Sequence, residues 1–219
     1  KSGTPTMGGF IFIVPAVVLA AAEHTDFALV ATALAVGYGV LGFLDDFIKI
    51  KFARNLGLKP YQKIVGQLGL AAIAGYFCYA SQYVDGTLRI PFAESAGIGW
   101  GIIPLTMLLF VACSNSVNLT DGLDGLAATT SAGYFSVFAI ILYFAFADAE
   151  NLGQTAYAEQ LVSLSAVCAG LVGALLGYTV FNANPAKVMM GDTGSLALGG
   201  MASAVAAFSG YTLLVPLVG

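Results

Sequence analysis

Five aspartates stand where an otherwise oily chain turns polar: Asp45 and Asp46 in LGFLDDFIKI, Asp121 and Asp124 in NSVNLTDGLDGLA, and Asp192 in FNANPAKVMMGDTGSLALGG. Carboxylates gathered with asparagines, glycines and lysines are the donor set for a hard divalent cation and a phosphate. Magnesium keeps several waters and binds through one or two carboxylates plus substrate phosphates. Asp45 and Asp46 are adjacent, so they repel each other unless a cation or a proton relieves them. On a helix they point about 100° apart and serve different ligands. The bland alternative for this pair is a membrane-boundary marker balanced by Lys49, since surface ion pairs are common and weak.

The second segment has the spacing Asn115-x2-Asn118-x2-Asp121-x2-Asp124, with Gly122 and Gly125 interleaved. Residues three apart are helix neighbours, but the face drifts about 60° at each step, so adjacent members act together and the four do not share one stripe. A helix start capped by Asn118, Thr120 or Asp121 explains one or two of these side chains. Four, with glycines that permit close backbone approach, point to a ligand. In the third segment Asn182, Asn184, Pro185 and Lys187 precede Gly191, Asp192, Thr193, Gly194 and Ser195, and the backbone N–H groups opening the following helix favour an anion. Asp192 as a mere cap is the competing reading.

The elements that must position these residues are membrane helices. Of 219 residues, 58% are hydrophobic and 9% charged, and the mean hydropathy is +0.87, against about 25% charged residues in an ordinary soluble domain. Seven apolar stretches approach the length needed to cross about 30 Å of hydrocarbon: residues 10–22, 27–44, 65–80, 100–114, 128–147, 161–181 and 196–218. All are predicted helices, because an unclosed strand in lipid leaves backbone groups unpaired. The fold class is therefore all-α, a polytopic transmembrane bundle forming one domain over residues 1–219.

Alternating the spans places Lys1, Lys49, Lys51, Arg54, Lys59, Lys63 and Lys187 on one side and Arg89 on the other. The positive-inside rule makes the lysine-rich side cytoplasmic. The five aspartates fall on that side at span ends, while Glu23, Asp26, Asp85, Glu94, Asp148, Glu150 and Glu159 read as solvated acids of the opposite loops. A net charge of −4 argues against a nucleic-acid partner, which demands a basic stripe. Cys78, Cys113 and Cys168 lie far apart in apolar runs and read as small core residues. His24, the one histidine, lies on the opposite loop and reads as a surface residue.

Four ordered segments, KSGTPTMGG (1–9), GFLDD (42–46), NLTDGLDGLA (118–127) and NPAKVMMGDTGSLALGG (184–200), closely resemble the bacterial phospho-N-acetylmuramoyl-pentapeptide transferases (the MraY family) of the polyprenyl-phosphate N-acetylhexosamine-1-phosphate transferase superfamily. The resemblance runs through essentially the whole chain. It implies the middle of an enzyme of about ten helices, without the family's first helix, histidine-rich loop and last helices.

It further implies Mg²⁺-dependent transfer of phospho-MurNAc-pentapeptide from UDP-MurNAc-pentapeptide to undecaprenyl phosphate, giving lipid I and UMP at the cytoplasmic face of the bacterial inner membrane, by a homodimer. By the same resemblance Asp45, Asp46 and Asp192 are catalytic, and Asp192, with Asp46 or Asp121, holds the metal. Asn115, Asn118, Asp121, Asp124, Asn182 and Gly191 position nucleotide and sugar, and Lys1, Thr6, Lys49 and Lys63 meet phosphates or uracil. Met189 stands where the family often has a phenylalanine beside the base, and its sulfur can still contact an aromatic ring. The neighbouring enzymatic reading is a GlcNAc-1-phosphate transferase, disfavoured by the SGTPTMGG opening. The non-enzymatic one is an ion-coupled transporter, disfavoured because such sites lie near the bilayer midplane whereas these acids sit at span ends.

Overall fold

A computed structural model describes residues 4–52, 57–90 and 95–215. Among these, the α-helices in chain order are α1 (Phe10–Glu23), α2 (Asp26–Lys51), α3 (Pro60–Ala80), α4 (Ile102–Thr120), α5 (Leu126–Asn151), α6 (Thr155–Asn182) and α7 (Gly191–Phe208). The all-α expectation holds. Extended structure among the described residues is a single antiparallel pair of two-residue strands, β1 (Thr87–Leu88) and β2 (Ala96–Gly97), between α3 and α4. Helices α2 to α6 are each long and apolar enough to cross a membrane.

Local chemistry sets the helix ends. The Thr25 hydroxyl accepts from the Ala28 amide at the start of α2, an N-cap that satisfies one of the orphan amides. Pro60 opens α3, where its missing N–H costs nothing. Gly210, with φ +77°, follows α7 and ends its run.

Helix α7 lies at the centre. Every residue from Thr193 to Phe208 is buried, as expected for a helix enclosed on all sides. It packs chiefly against α2 and α4, while α3 pairs with α4, α5 with α6, and α1 with α6 and α2. Small residues allow this. A Cβ on Gly42 of α2 would overlap the Asp192 carbonyl, so the end of α2 meets the start of α7 only because position 42 has no side chain.

Two expectations are corrected. The last apolar stretch, 196–218, is not one helix: α7 ends at Phe208, and a short 3₁₀ turn covers Thr212–Leu214. Helix α3 begins at Pro60, five residues before the expected Val65, which places Lys63 and Gln67 on its first two turns. The NSVNLTDGLDGLA segment ends one helix and begins the next. Asn115 and Asn118 lie in the last turns of α4, Asp121 is its C-cap, and α5 opens after Gly125, whose φ is +77°.

Candidate active site

The end of α2 supplies Asp45 and Asp46, and the first turn of α7 supplies Asp192. One carboxylate oxygen from each of the three lies within 4.8 Å of the others. Asp45 and Asp46 are 3% and 5% exposed, and the Asp192 side chain is 18% exposed. Charges buried to this degree require partners.

Those partners differ in kind. Asp46 is held by backbone and hydroxyl: its Oδ1 accepts from the Asp192 amide at 3.2 Å, and its Oδ2 accepts from the Thr193 amide at 2.9 Å and the Thr193 hydroxyl at 2.8 Å. A carboxylate from α2 thus occupies the N-terminus of α7, where unpaired amides and the helix dipole favour negative charge. Gly191 makes this approach possible, since its φ is +71° and an added Cβ would lie 2.5 Å from Asp46 Oδ2 and 2.7 Å from Thr6 Oγ1. Asp45 accepts from the Leu58 amide at 2.7 Å and pairs with Lys49 one turn later.

Asp192 is held by side chains. Its Oδ1 accepts from Asn118 Nδ2 at 2.8 Å, and its Oδ2 faces Lys63 Nζ at 3.0 Å and Lys49 Nζ at 3.2 Å. Three carboxylates therefore meet two ammonium groups. Oxygen donors so close together, with one formal negative charge in excess, fit a hard divalent cation. The ammonium groups bear on the same oxygens.

A polar ladder between α3 and α4 supports this group. Lys63 Nζ donates to Asn118 Oδ1 at 3.2 Å, and one helical turn further in, Asn115 Nδ2 donates to Gln67 Oε1 at 2.9 Å and to the Val111 carbonyl at 2.8 Å. Both Asn115 amide hydrogens are thereby used within the protein. Gln67 is fully buried, and its carbonyl accepts from the Tyr38 hydroxyl at 2.9 Å. On α7, Ser195 Oγ accepts from Asn118 Nδ2 at 2.8 Å. Gln67, Thr193 and Ser195 did not stand out as site residues in the sequence. Gln67 carried a usable signal, being a polar side chain four residues from Lys63 in an apolar helix, where polar groups face the protein interior.

The remaining candidates organise the loops around the group. Asn182 Oδ1 accepts from the Gly125 amide at 3.0 Å, and its Nδ2 donates to the Val188 carbonyl at 2.8 Å, tying the α4–α5 loop to the α6–α7 loop. Asp124 Oδ2 accepts from the Ala186 amide at 3.2 Å across the same two loops. Met189 pairs with the N-terminal segment, its amide donating to the Pro5 carbonyl at 2.8 Å and its carbonyl accepting from Gly8 at 2.9 Å. This strand-like contact places Thr6 over Gly191. Asp121 caps α4 and is not in the three-carboxylate group, where Asp45 stands instead. Lys1 lies outside the described residues.

Residues 27–210 match the family model for glycosyl transferase family 4, a stretch that holds all three clustered aspartates and both lysines. The chain belongs to glycosyl transferase family 4. Residues 1–13 also match signature 1 of the phospho-N-acetylmuramoyl-pentapeptide-transferases, which includes Thr6. Among curated relatives of this family bearing that name, the chain is 42% identical over 226 residues to the protein of Geobacillus sp. (strain WCH70) and 44% identical over 229 residues to that of Geobacillus kaustophilus (strain HTA426). It is 43% identical over 226 residues to that of Bacillus anthracis (strain A0248). Each alignment covers 100% of this chain and 65% of the relative, so the chain spans about two thirds of the length of the curated relatives it matches.

Proposed function

We propose that this chain carries the catalytic centre of a phospho-N-acetylmuramoyl-pentapeptide transferase, which moves phospho-MurNAc-pentapeptide from its UDP carrier to undecaprenyl phosphate and releases UMP and lipid I. The observation that carries this reading is the convergence of Asp45, Asp46 and Asp192 within 4.8 Å, beside Lys49 and Lys63. It lies in the stretch that matches the family model, and curated relatives 42% and 44% identical to the chain bear this name. The lysine-rich side carrying the centre is taken as cytoplasmic, in the bacterial inner membrane.

In the reaction, an oxygen of the acceptor phosphate forms a bond to the β-phosphorus of the donor, the bond to the α-phosphate oxygen breaks, and UMP leaves with that electron pair. Two anions must approach, so charge neutralisation is the first requirement. Asp192, Asp45 and Asp46 would hold Mg²⁺, which when bound supplies Lewis-acid neutralisation of the diphosphate. Lys49 and Lys63 stand where they can meet the phosphates, and the Asn118 amide orients Asp192. A phosphate monoester has a second pKa of about 6 and is largely dianionic at neutral pH. It therefore attacks directly, without a strong base, and Asp45 positions the acceptor.

Release of UMP by the full-length protein, assayed with undecaprenyl phosphate and either UDP-MurNAc-pentapeptide or UDP-GlcNAc, tests the proposal. Turnover of the muramoyl donor that depends on Mg²⁺ is expected. Preferential turnover of UDP-GlcNAc would replace the assignment with its sister transferase.

A further inference from the structure

The partners of the three carboxylates divide into two sets. Asp46 is gripped by the Asp192 and Thr193 amides and the Thr193 hydroxyl, and Asp45 Oδ1 by the Leu58 amide. These donors are part of the helix and loop framework and stay where the backbone puts them. The second set is two lysines, both directed at Asp192 Oδ2 and one also at Asp45 Oδ2. A lysine carries its charge on a flexible four-carbon stem and can change partner without moving the backbone.

We propose that Lys63 and Lys49 are built-in competitors of the divalent cation for Asp192, and that a nucleoside diphosphate relieves this competition by drawing the two ammonium groups onto its phosphates. The inference rests on the sugar-nucleotide reading above and adds a regulation to that site: cation and diphosphate bind together more tightly than either binds alone. A dication entering beside Asp192 Oδ2 meets two like charges that already bear on this oxygen. An incoming diphosphate offers those charges new anionic partners, and the oxygen is freed. Lys63 also has a neutral holding point in Asn118 Oδ1, at 3.2 Å, so it can leave the carboxylate by degrees. Because binding free energies are linked, the diphosphate tightens the cation by the same factor as the cation tightens the diphosphate. The centre then holds its metal firmly only when there is a donor to use it.

The test is Mn²⁺ binding to the full-length protein in detergent, measured by electron paramagnetic resonance with and without UDP. In the unaltered protein, UDP is expected to tighten Mn²⁺ by about fivefold or more. Lys63→Gln is expected to bind Mn²⁺ alone more tightly than the unaltered protein, by about threefold or more, and to lose most of the tightening by UDP. Lys49→Gln should change in the same direction, and either variant suffices if the other does not fold. Asp192→Asn, which removes the contested oxygen, should abolish the effect of both lysine substitutions. Mn²⁺ binding that is unchanged or weaker in the folded lysine variants would overturn the proposal. Failure of UDP to bind the unaltered protein would instead remove the nucleotide reading, since the metal-only comparison still decides whether the lysines compete.

Discussion

At one end of α3 and α7, Lys63 and Asp192 belong to a group of three carboxylates and two ammonium groups; at the other end, the chain leaving α3 brings Arg89 against the residues that follow α7. There the Arg89 amide donates to the Gly210 carbonyl at 3.1 Å, and the guanidinium donates to the Tyr157 hydroxyl at 2.7 Å. Its carbon lies 5.2 Å from the Tyr157 ring centre and 5.4 Å from that of Tyr211. Tyr157 in turn stacks on Tyr83, and both rings meet Phe27 edge-on. A cation embraced by aromatic faces in this way is a fixture of the packing. The aspartate end is the opposite case, in which charges are balanced by long side chains that can exchange one anion for another. One end fixes its cation among aromatic rings, and the other balances its carboxylates with flexible lysines that can change partners.

Substitutions break or sharpen that contrast. The largest effect is expected for Asp192→Asn and Asp45→Asn, each lowering UMP release by about 100-fold or more while leaving the folded protein intact, as when a preorganised electrostatic group is removed. Gly42→Ala comes next. Its methyl group would push against the Asp192 carbonyl, and a lowered thermal unfolding midpoint is expected together with lower turnover, for a destabilisation of about 1 to 3 kcal/mol.

Thr193→Val removes one of the three donors to Asp46. One hydrogen bond to a charged group is worth about 1.5 kcal/mol, so turnover should fall about tenfold, with Thr193→Ser restoring it. The smallest effect is reserved for the far end. Arg89→Ala should lower stability by about 1 kcal/mol, measured by thermal unfolding, with turnover unchanged. A fall in turnover as large as that of Thr193→Val would show that the two ends are coupled and would erase the distinction.

Much of this is legible in the sequence. The helical membrane class follows from apolar runs that must satisfy their own backbone, and the polar interruptions mark where chemistry has to sit. The placement of Asp45, Asp46 and Asp192 at span ends on the lysine-rich side was likewise readable from charge and alternation. Hydropathy places the start of α3 too late because Lys59, Gln62, Lys63 and Gln67 dilute its first turns, and Pro60 is the better guide. Asn118, Thr120 and Asp121 suit a helix start as well as a helix end, and the backbone shows Asp121 closing α4 and Gly125 preceding α5. Gln67 on α3 and Thr193 and Ser195 on α7 act through pairs with residues of α4 and α2, and spacing along one helix does not name the partner on another.

By itself the sequence determined the solvent in which the chain folds, the order of the helices among the described residues, and the types of donor available at their ends, since these depend on hydropathy and on the chemistry of single residues. Which carboxylates meet was decided only by the tertiary structure. Asp46 reaches the amides of a helix 146 positions further along, and it does so because Gly42 and Gly191 lack the atoms that would hold α2 and α7 apart. That closeness puts Asp45, rather than Asp121, beside Asp192, and it gathers two partly exposed lysines around three carboxylates, two of them buried, where Coulomb forces act at short range.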